Sequence, residues 1–184
     1  MPQPAVPPLR RDLAALPRYV AGSPAASGPR PGFKLSSNEL PHSPSAAVVD
    51  EMAAALPSAN RYPSVTNQLL VGRIAATVGV GADRVVVGAG SIAVLQQLLL
   101  AVADPGRAAV FGCRSYEAYP IVTRVCHARP VAVPLRDHRH DLPAMLEQVR
   151  RTRAALVIVC NPNNPTGTTV ARDDLLEFVD AVPP

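Results

Sequence analysis

The sequence predicts an α/β fold, a mostly parallel sheet with helices on both faces, preceded by an extended N-terminal arm. Two patterns carry that expectation. Short β-branched runs alternate with helix-length apolar-periodic segments from residue 85 onward, and turns rich in Gly, Asn and Pro follow several of those runs. Strands joined by helices of this length need crossover connections, so neighbours run parallel and both sheet faces are covered. A chain of 184 residues with 48% hydrophobic content is long enough to bury one substantial core.

Residues 1–32, rich in Pro, Gly, Ser and Ala, read as the arm, with one short helical turn around Asp12–Leu16. Residues 33–184 read as a single domain. Its first helix starts from Ser43-Pro44 as cap and first helical residue, runs through Val48, Val49, Met52 and Leu56, and stops at Pro57. After the polar turn Asn60-Arg61-Tyr62-Pro63 comes a second helix with Leu69, Leu70, Ile74 and Val78 on one face, ended by Gly79 and Gly81. Strands are expected at Val85–Val87, Ala108–Phe111, Pro130–Leu135 and, most clearly, Ala154–Cys160. Helices are expected at Ile92–Ala103, buried because it is apolar nearly all round, and at Tyr116–Val125, Leu142–Arg150 behind an Asp141 cap, and Asp173–Ala181.

Composition excludes several functions. The net charge is +4, but the arginines are scattered among acids and aromatics are 4%, so a nucleic-acid face with stacking platforms is not predicted. No apolar run is long enough to span a bilayer, and Met1–Arg11 lacks the apolar centre of a signal peptide. Cys113, Cys126 and Cys160 form no CxxC pair, which fits a reducing cytoplasm. Asp137-His138-Arg139-His140-Asp141 holds metal-ligand residue types on a turn of poor convergence; it reads as a solvated turn with a helix cap, and no metal is expected.

In parallel sheets ligands collect beyond the carboxyl ends of the strands, which directs attention to Gly88–Ser91, Gly112–Tyr116 and Asn161–Gly167. Gly88-Ala89-Gly90-Ser91-Ile92 joins a strand to a helix, so backbone N–H groups and the helix dipole favour an anion there. The same stretch satisfies a dinucleotide-binding pattern, Gly88-x-Gly90-x-x-Ala93, and an NAD- or FAD-binding oxidoreductase is the alternative function. That pattern wants an acid about 20 residues on, where this chain has Phe111-Gly112-Cys113-Arg114.

Asn161-Pro162-Asn163-Asn164-Pro165-Thr166-Gly167 is the most specific run in the chain. It resembles the signature loop of the fold-type I aminotransferases, in particular the histidinol-phosphate and aromatic (phenylalanine) aminotransferases. The resemblance continues in order through Lys34-Leu35-Ser36-Ser37-Asn38-Glu39, Asn60-Arg61-Tyr62-Pro63, Gly90-Ser91-Ile92 and Arg114-Ser115-Tyr116-Glu117-Ala118-Tyr119.

The cofactor it implies is pyridoxal 5'-phosphate. By the same comparison Gly90, Ser91 and Ile92 cup the phosphate, Tyr116 stacks on the pyridine ring, Asn164 donates to the phenolic oxygen, and Tyr62 reaches a partner subunit's cofactor phosphate. Asn38 and Glu39 contribute to substrate binding. The implied partners are an amino acid and a 2-oxo acid, and the implied assembly is a homodimer. These roles suit the chemistry: a flat cationic ring takes a flat apolar neighbour, a phosphate dianion a helix N-terminus, a phenolate a neutral donor.

Departures from the pattern, Leu40 and His42 in Asn38-Glu39-Leu40-Pro41-His42, Ile92 in place of an acid, and Arg114 in place of a proline, look closer to the phenylalanine branch. The resemblance also implies that the Schiff-base lysine, the aspartate on the pyridine nitrogen and the substrate arginines fall beyond the equivalent of Pro184. Residues 33–184 are then expected to be a partial cofactor-binding large domain with no catalytic residue of its own, and Lys34, the single lysine, a solvent-exposed residue of the N-terminal segment.

Overall fold

A computed structural model describes Arg10, Leu16 and residues 37–184. The arm expected over 1–32 therefore lies outside the described residues apart from Arg10 and Leu16, and so does Lys34. The chain divides into two compact units, Arg18–Val86 and Val87–Pro184 with Met1–Pro17.

In the first unit, helix α1 spans Ala46–Ala55 and runs into a 3-10 turn at Leu56–Ser58, and helix α2 spans Gln68–Val78. The cap of α1 is Ser45 rather than Ser43: its carbonyl accepts from the Val48 and Val49 amides at 3.0 and 3.1 Å, which starts the helix two residues later than its Ser-Pro signal implies. Gly79 ends α2 as predicted, with φ +72 and its N–H on the Ala75 carbonyl at 2.9 Å, a conformation that favours glycine. Ala75 is the one buried residue among the described residues of this unit, and the apolar faces of both helices, including Met52, Leu56 and Leu69, are exposed.

The second unit carries the sheet. Helix α3 (Ser91–Val102) leads to strand β1 (Ala108–Cys113), helix α4 (Ala118–Val125), strand β2 (Arg129–Pro134), helix α5 (Leu142–Thr152), strand β3 (Leu156–Ile158) and helix α6 (Arg172–Ala181). Both pairings are parallel in the order β2-β1-β3, with Ala109 opposite Pro130 and Leu156. Period-2 alternation divides β1 between two cores. Ala109 joins Leu99 of α3, Ala103 just after it and Val122 of α4 on one face, and Val110 joins Met145 and Val149 of α5 and Phe178 of α6 on the other. Leu99, Met145 and Val110 are wholly buried, each contributing about 1.5–3 kcal/mol of apolar burial.

Three expectations are corrected. Val85 is extended and Val86 exposed, but Val85–Val87 forms no ladder, because no described strand pairs with it to supply hydrogen-bond partners. Helix α3 is buried on one stripe only: Leu99 is inaccessible, whereas Leu98, Leu100 and Val102 face outward, so its all-round apolarity does not mean all-round burial. The ladder of β3 is also shorter than the run Ala154–Cys160, because the Cys160 carbonyl accepts from a side chain, His140, instead of a strand.

Candidate cofactor-binding site

The topology fixes where a site opens. After β1 the chain turns to α4 on one face of the sheet, and after the neighbouring strand β3 it turns to α6 on the opposite face. Loops leaving two adjacent parallel strands in opposite directions leave a crevice at their carboxyl ends, the usual ligand position in such sheets.

Asn163 ties the two loops together. It is 2% exposed, its Nδ2 donates to the Arg114 carbonyl (3.1 Å) and to Thr166 Oγ1 (2.8 Å), and its Oδ1 accepts from Ser115 Oγ (2.7 Å). The rest of the run closes on itself. The Gly167 N–H reaches the Asn163 carbonyl at 2.7 Å, the Asn163 N–H reaches the Thr168 carbonyl at 2.8 Å, and Asn161 exchanges bonds with the backbone of Val170 at 3.0 and 3.3 Å. Both X-Pro bonds of the run, Asn161-Pro162 and Asn164-Pro165, are cis. Thr168 Oγ1 also donates to the His138 carbonyl at 2.7 Å, fastening the loop to the turn before α5.

Tyr116 and Asn164 each sit one residue beyond a bonded partner of this network. Asn164 is half-buried and its side chain makes no hydrogen bond among the described residues, so its amide N–H groups are available to a ligand. The Tyr116 ring stands edge-on to Tyr119, centroids 5.6 Å apart at 88°, and Tyr119 leans on Phe111 of β1 at 6.0 Å. Burial first, then the adjacent Cys160 side chain, push the Tyr119 phenol above its ordinary range, so Tyr119 serves as a neutral support for the Tyr116 ring.

The third element is the N-terminus of α3. A short connection from α3 into β1, and the packing of Leu99 and Ala103 on Ala109 near the start of β1, run this helix back along the strand. Twelve helical residues rise about 18 Å, close to the roughly 20 Å of a six-residue strand, so the Gly90–Ile92 end reaches the carboxyl rim. Gly90 has φ +83 and no side-chain cap bond, and a Cβ built on it would meet no neighbour. The first N–H groups of α3 consequently have neither an intrahelical acceptor nor a cap, and aim at an open approach. Free N–H groups, an unengaged amide and a half-buried aromatic ring fit the phosphate, phenolic oxygen and ring of a pyridoxal phosphate.

The remaining predicted residues belong to the first unit. Asn38 and Glu39 are exposed in the segment before α1, with Asn38 at φ +50, and Tyr62 is fully exposed in the turn between α1 and α2.

Two residues were not singled out from sequence. Asn163 outranks Asn164 as the structural member of the run, and composition alone cannot say which asparagine looks inward. His140 corrects the reading of its turn as solvated: it is 8% exposed, its Nε2 shares a hydrogen bond with the Cys160 carbonyl (3.0 Å), and its Nδ1 is buried without a partner. Its ring lies so close to Gly112 that a Cβ there would stand 2.3 Å from Nδ1. The alternation of β1, with Gly112 on the α5 face, was the available signal. The cap part of that reading holds, since Asp141 Oδ1 accepts from the Ala144 N–H at 3.1 Å. Among the described residues no three His, Cys, Asp or Glu side chains gather as metal ligands. A cavity of about 650 Å³ between α5 and α6, lined by Arg139, Leu142, Leu146 and Phe178, lies away from the crevice.

Residues 30–183 match the model of the family described as aminotransferase class I and II. The chain is 43% identical over 178 residues to an aromatic amino acid aminotransferase of Streptomyces coelicolor, covering 96% of this chain and 49% of that protein. It is 48% identical over 177 residues to one of Corynebacterium jeikeium, covering 95% and 46%. A histidinol-phosphate aminotransferase from Sinorhizobium meliloti, solved with pyridoxal-5'-phosphate, superposes with a TM-score of 0.83 at 24% identity, over 97% of this chain and 49% of its own. The chain thus spans about half the length of the curated relatives it matches.

Proposed function

This chain belongs to the class I and II aminotransferases, and from that premise we propose that it provides the cofactor-holding loops of a pyridoxal-phosphate-dependent transamination between an aromatic amino acid and a 2-oxo acid. The observation that carries the proposal is Asn163, which binds the loops after β1 and β3 to each other and so presents Tyr116 and Asn164 to a single small molecule. When bound, the cofactor supplies an electron-withdrawing ring that accepts charge from the substrate.

The chain's own residues hold and orient it. The Ser91 hydroxyl and the Ser91 and Ile92 amides, behind the Gly90 turn, hold the phosphate against the positive end of α3. Tyr116 covers one face of the ring and keeps water off it, while Asn164 donates to the phenolic oxygen. Asn38 and Glu39 are assigned to the substrate side, and the names of the relatives support an aromatic donor. No catalytic residue is assigned in this chain, and the large domain is taken as residues 33–184 behind an arm of 1–32.

A homodimer is supported by the full exposure of Tyr62 and by the exposed apolar faces of α1 and α2. The three free cysteines favour a cytoplasmic setting. Among the described residues no helix is long and apolar enough to cross a membrane. Equilibrium dialysis of the full chain against pyridoxal phosphate and against NAD tests the reading. Retention of pyridoxal phosphate, weakened by Ser91→Ala and by Asn164→Ala, is the expected result; retention of NAD in its place would sink it.

A further inference from the structure

We propose that Cys113 and Cys160 form a reversible intramolecular disulfide across the carboxyl rim of the sheet. Three β1 residues pair with the β3 residue 47 positions on, from Ala109 with Leu156 to Phe111 with Ile158, and the same offset carried two positions past the last rung sets Cys113 beside Cys160. Past the last rung the two chains are tied together again. The next residues, Arg114 and Ser115, are both bonded to Asn163, at 3.1 and 2.7 Å, so the two cysteines are bracketed by contacts on either side.

They also share a face. Ala109, Leu156 and Phe111 look toward α3 and α4, the last meeting Tyr119 of α4. Gly112 looks the other way, at His140. Alternation therefore turns Cys113 to the α4 side, and there Cys160 already lies beside Tyr119. Adjacent strands run about 4.8 Å apart, inside the roughly 4.4–6.8 Å between Cα atoms that a disulfide spans.

Access favours this pair over the third thiol. Cys113 is exposed and Cys160 partly so. Cys126 is 2% exposed, with its Sγ 3.8 Å from the Gln96 carbonyl, on the α4 end away from the rim. A low-molecular-weight disulfide such as glutathione disulfide serves as oxidant. The Cys113 thiolate attacks one of its sulfurs and expels one thiol. The Cys160 thiolate then attacks the Cys113 sulfur of the mixed disulfide and expels the second, so two cysteine thiols are oxidised, giving up two protons, while the reagent is reduced to two thiols.

The full chain, treated with glutathione disulfide under conditions where near-ultraviolet dichroism shows it folded, is alkylated and digested with trypsin without reduction. Peptides 108–114 and 154–172 joined by one disulfide, with two of the three thiols lost and recovered by dithiothreitol, are the expected result. Cys113→Ser and Cys160→Ser each leave a stable glutathione adduct on the remaining cysteine. Separate adducts on both cysteines of the unmutated chain, unreacted thiols, or links only between chains would overturn the pair. Resting on the proposed function, the bond draws Cys160 from Tyr119, which supports Tyr116, so the oxidised chain retains pyridoxal phosphate several-fold less well than the reduced chain. A linked peptide with unchanged retention overturns that coupling alone, whereas no retention by the reduced chain counts against the cofactor reading and leaves the disulfide standing.

Discussion

The run 161–168 and the turn 88–92 face the same rim and are built on opposite principles. The first satisfies its polar groups internally: Asn163, Thr166, Gly167 and Thr168 bond to one another, and Asn161 to Val170. The second leaves them open, with Gly90 capping α3 through no side chain and Ser91 exposed. A site that has to hold a rigid ring and capture an anion needs both, a stiff wall to fix position and a set of free donors to supply affinity.

The stiff wall is broken most severely at its hub. Asn163→Ala removes three side-chain hydrogen bonds and leaves Ser115 Oγ, the Arg114 carbonyl and Thr166 Oγ1 without that partner in a part-buried place, a loss of about 3 kcal/mol. Urea unfolding should show the free energy of unfolding falling by that amount, and a change of under about 0.5 kcal/mol, the surface norm, would mean that the loop does not depend on its asparagine. Gly112→Ala is next, at about 2 kcal/mol, because its new methyl collides with the His140 ring beneath the same loop. In a double-mutant cycle with His140→Ala the two losses should be less than additive, since removing the ring removes the collision; strict additivity would deny the contact.

What was legible in sequence follows the same division. Turn chemistry and helix ends are local, so the run 161–167, the stop at Gly79 and the Asp141 cap could be read from neighbouring residues. What depends on distant partners could not. Asn163 is distinguished from Asn164 chiefly by Arg114 and Ser115, nearly fifty positions earlier, and His140 has room for its buried ring beside Gly112. Val85–Val87 has the composition of a strand, but a ladder needs a neighbour that local composition does not specify. Cys113 and Cys160 look unrelated at their wide spacing until the register of β1 and β3 aligns them.

The contrast between closed and open ends is sharpened by two helix caps. Asp141 at the start of α5 makes its cap bond, so Asp141→Ala should cost about 1 kcal/mol, read as a lowered thermal midpoint. Ser91, first residue of α3, makes no cap bond, and its side chain stands in solvent. Ser91→Ala should therefore change stability by under about 0.5 kcal/mol while lowering retention of pyridoxal phosphate, a division between stability and binding that the Asp141 variant should not show. If Ser91→Ala instead destabilised the chain as much as Asp141→Ala, its hydroxyl would be a structural cap, and the free donors of α3 would no longer be the open half of this rim.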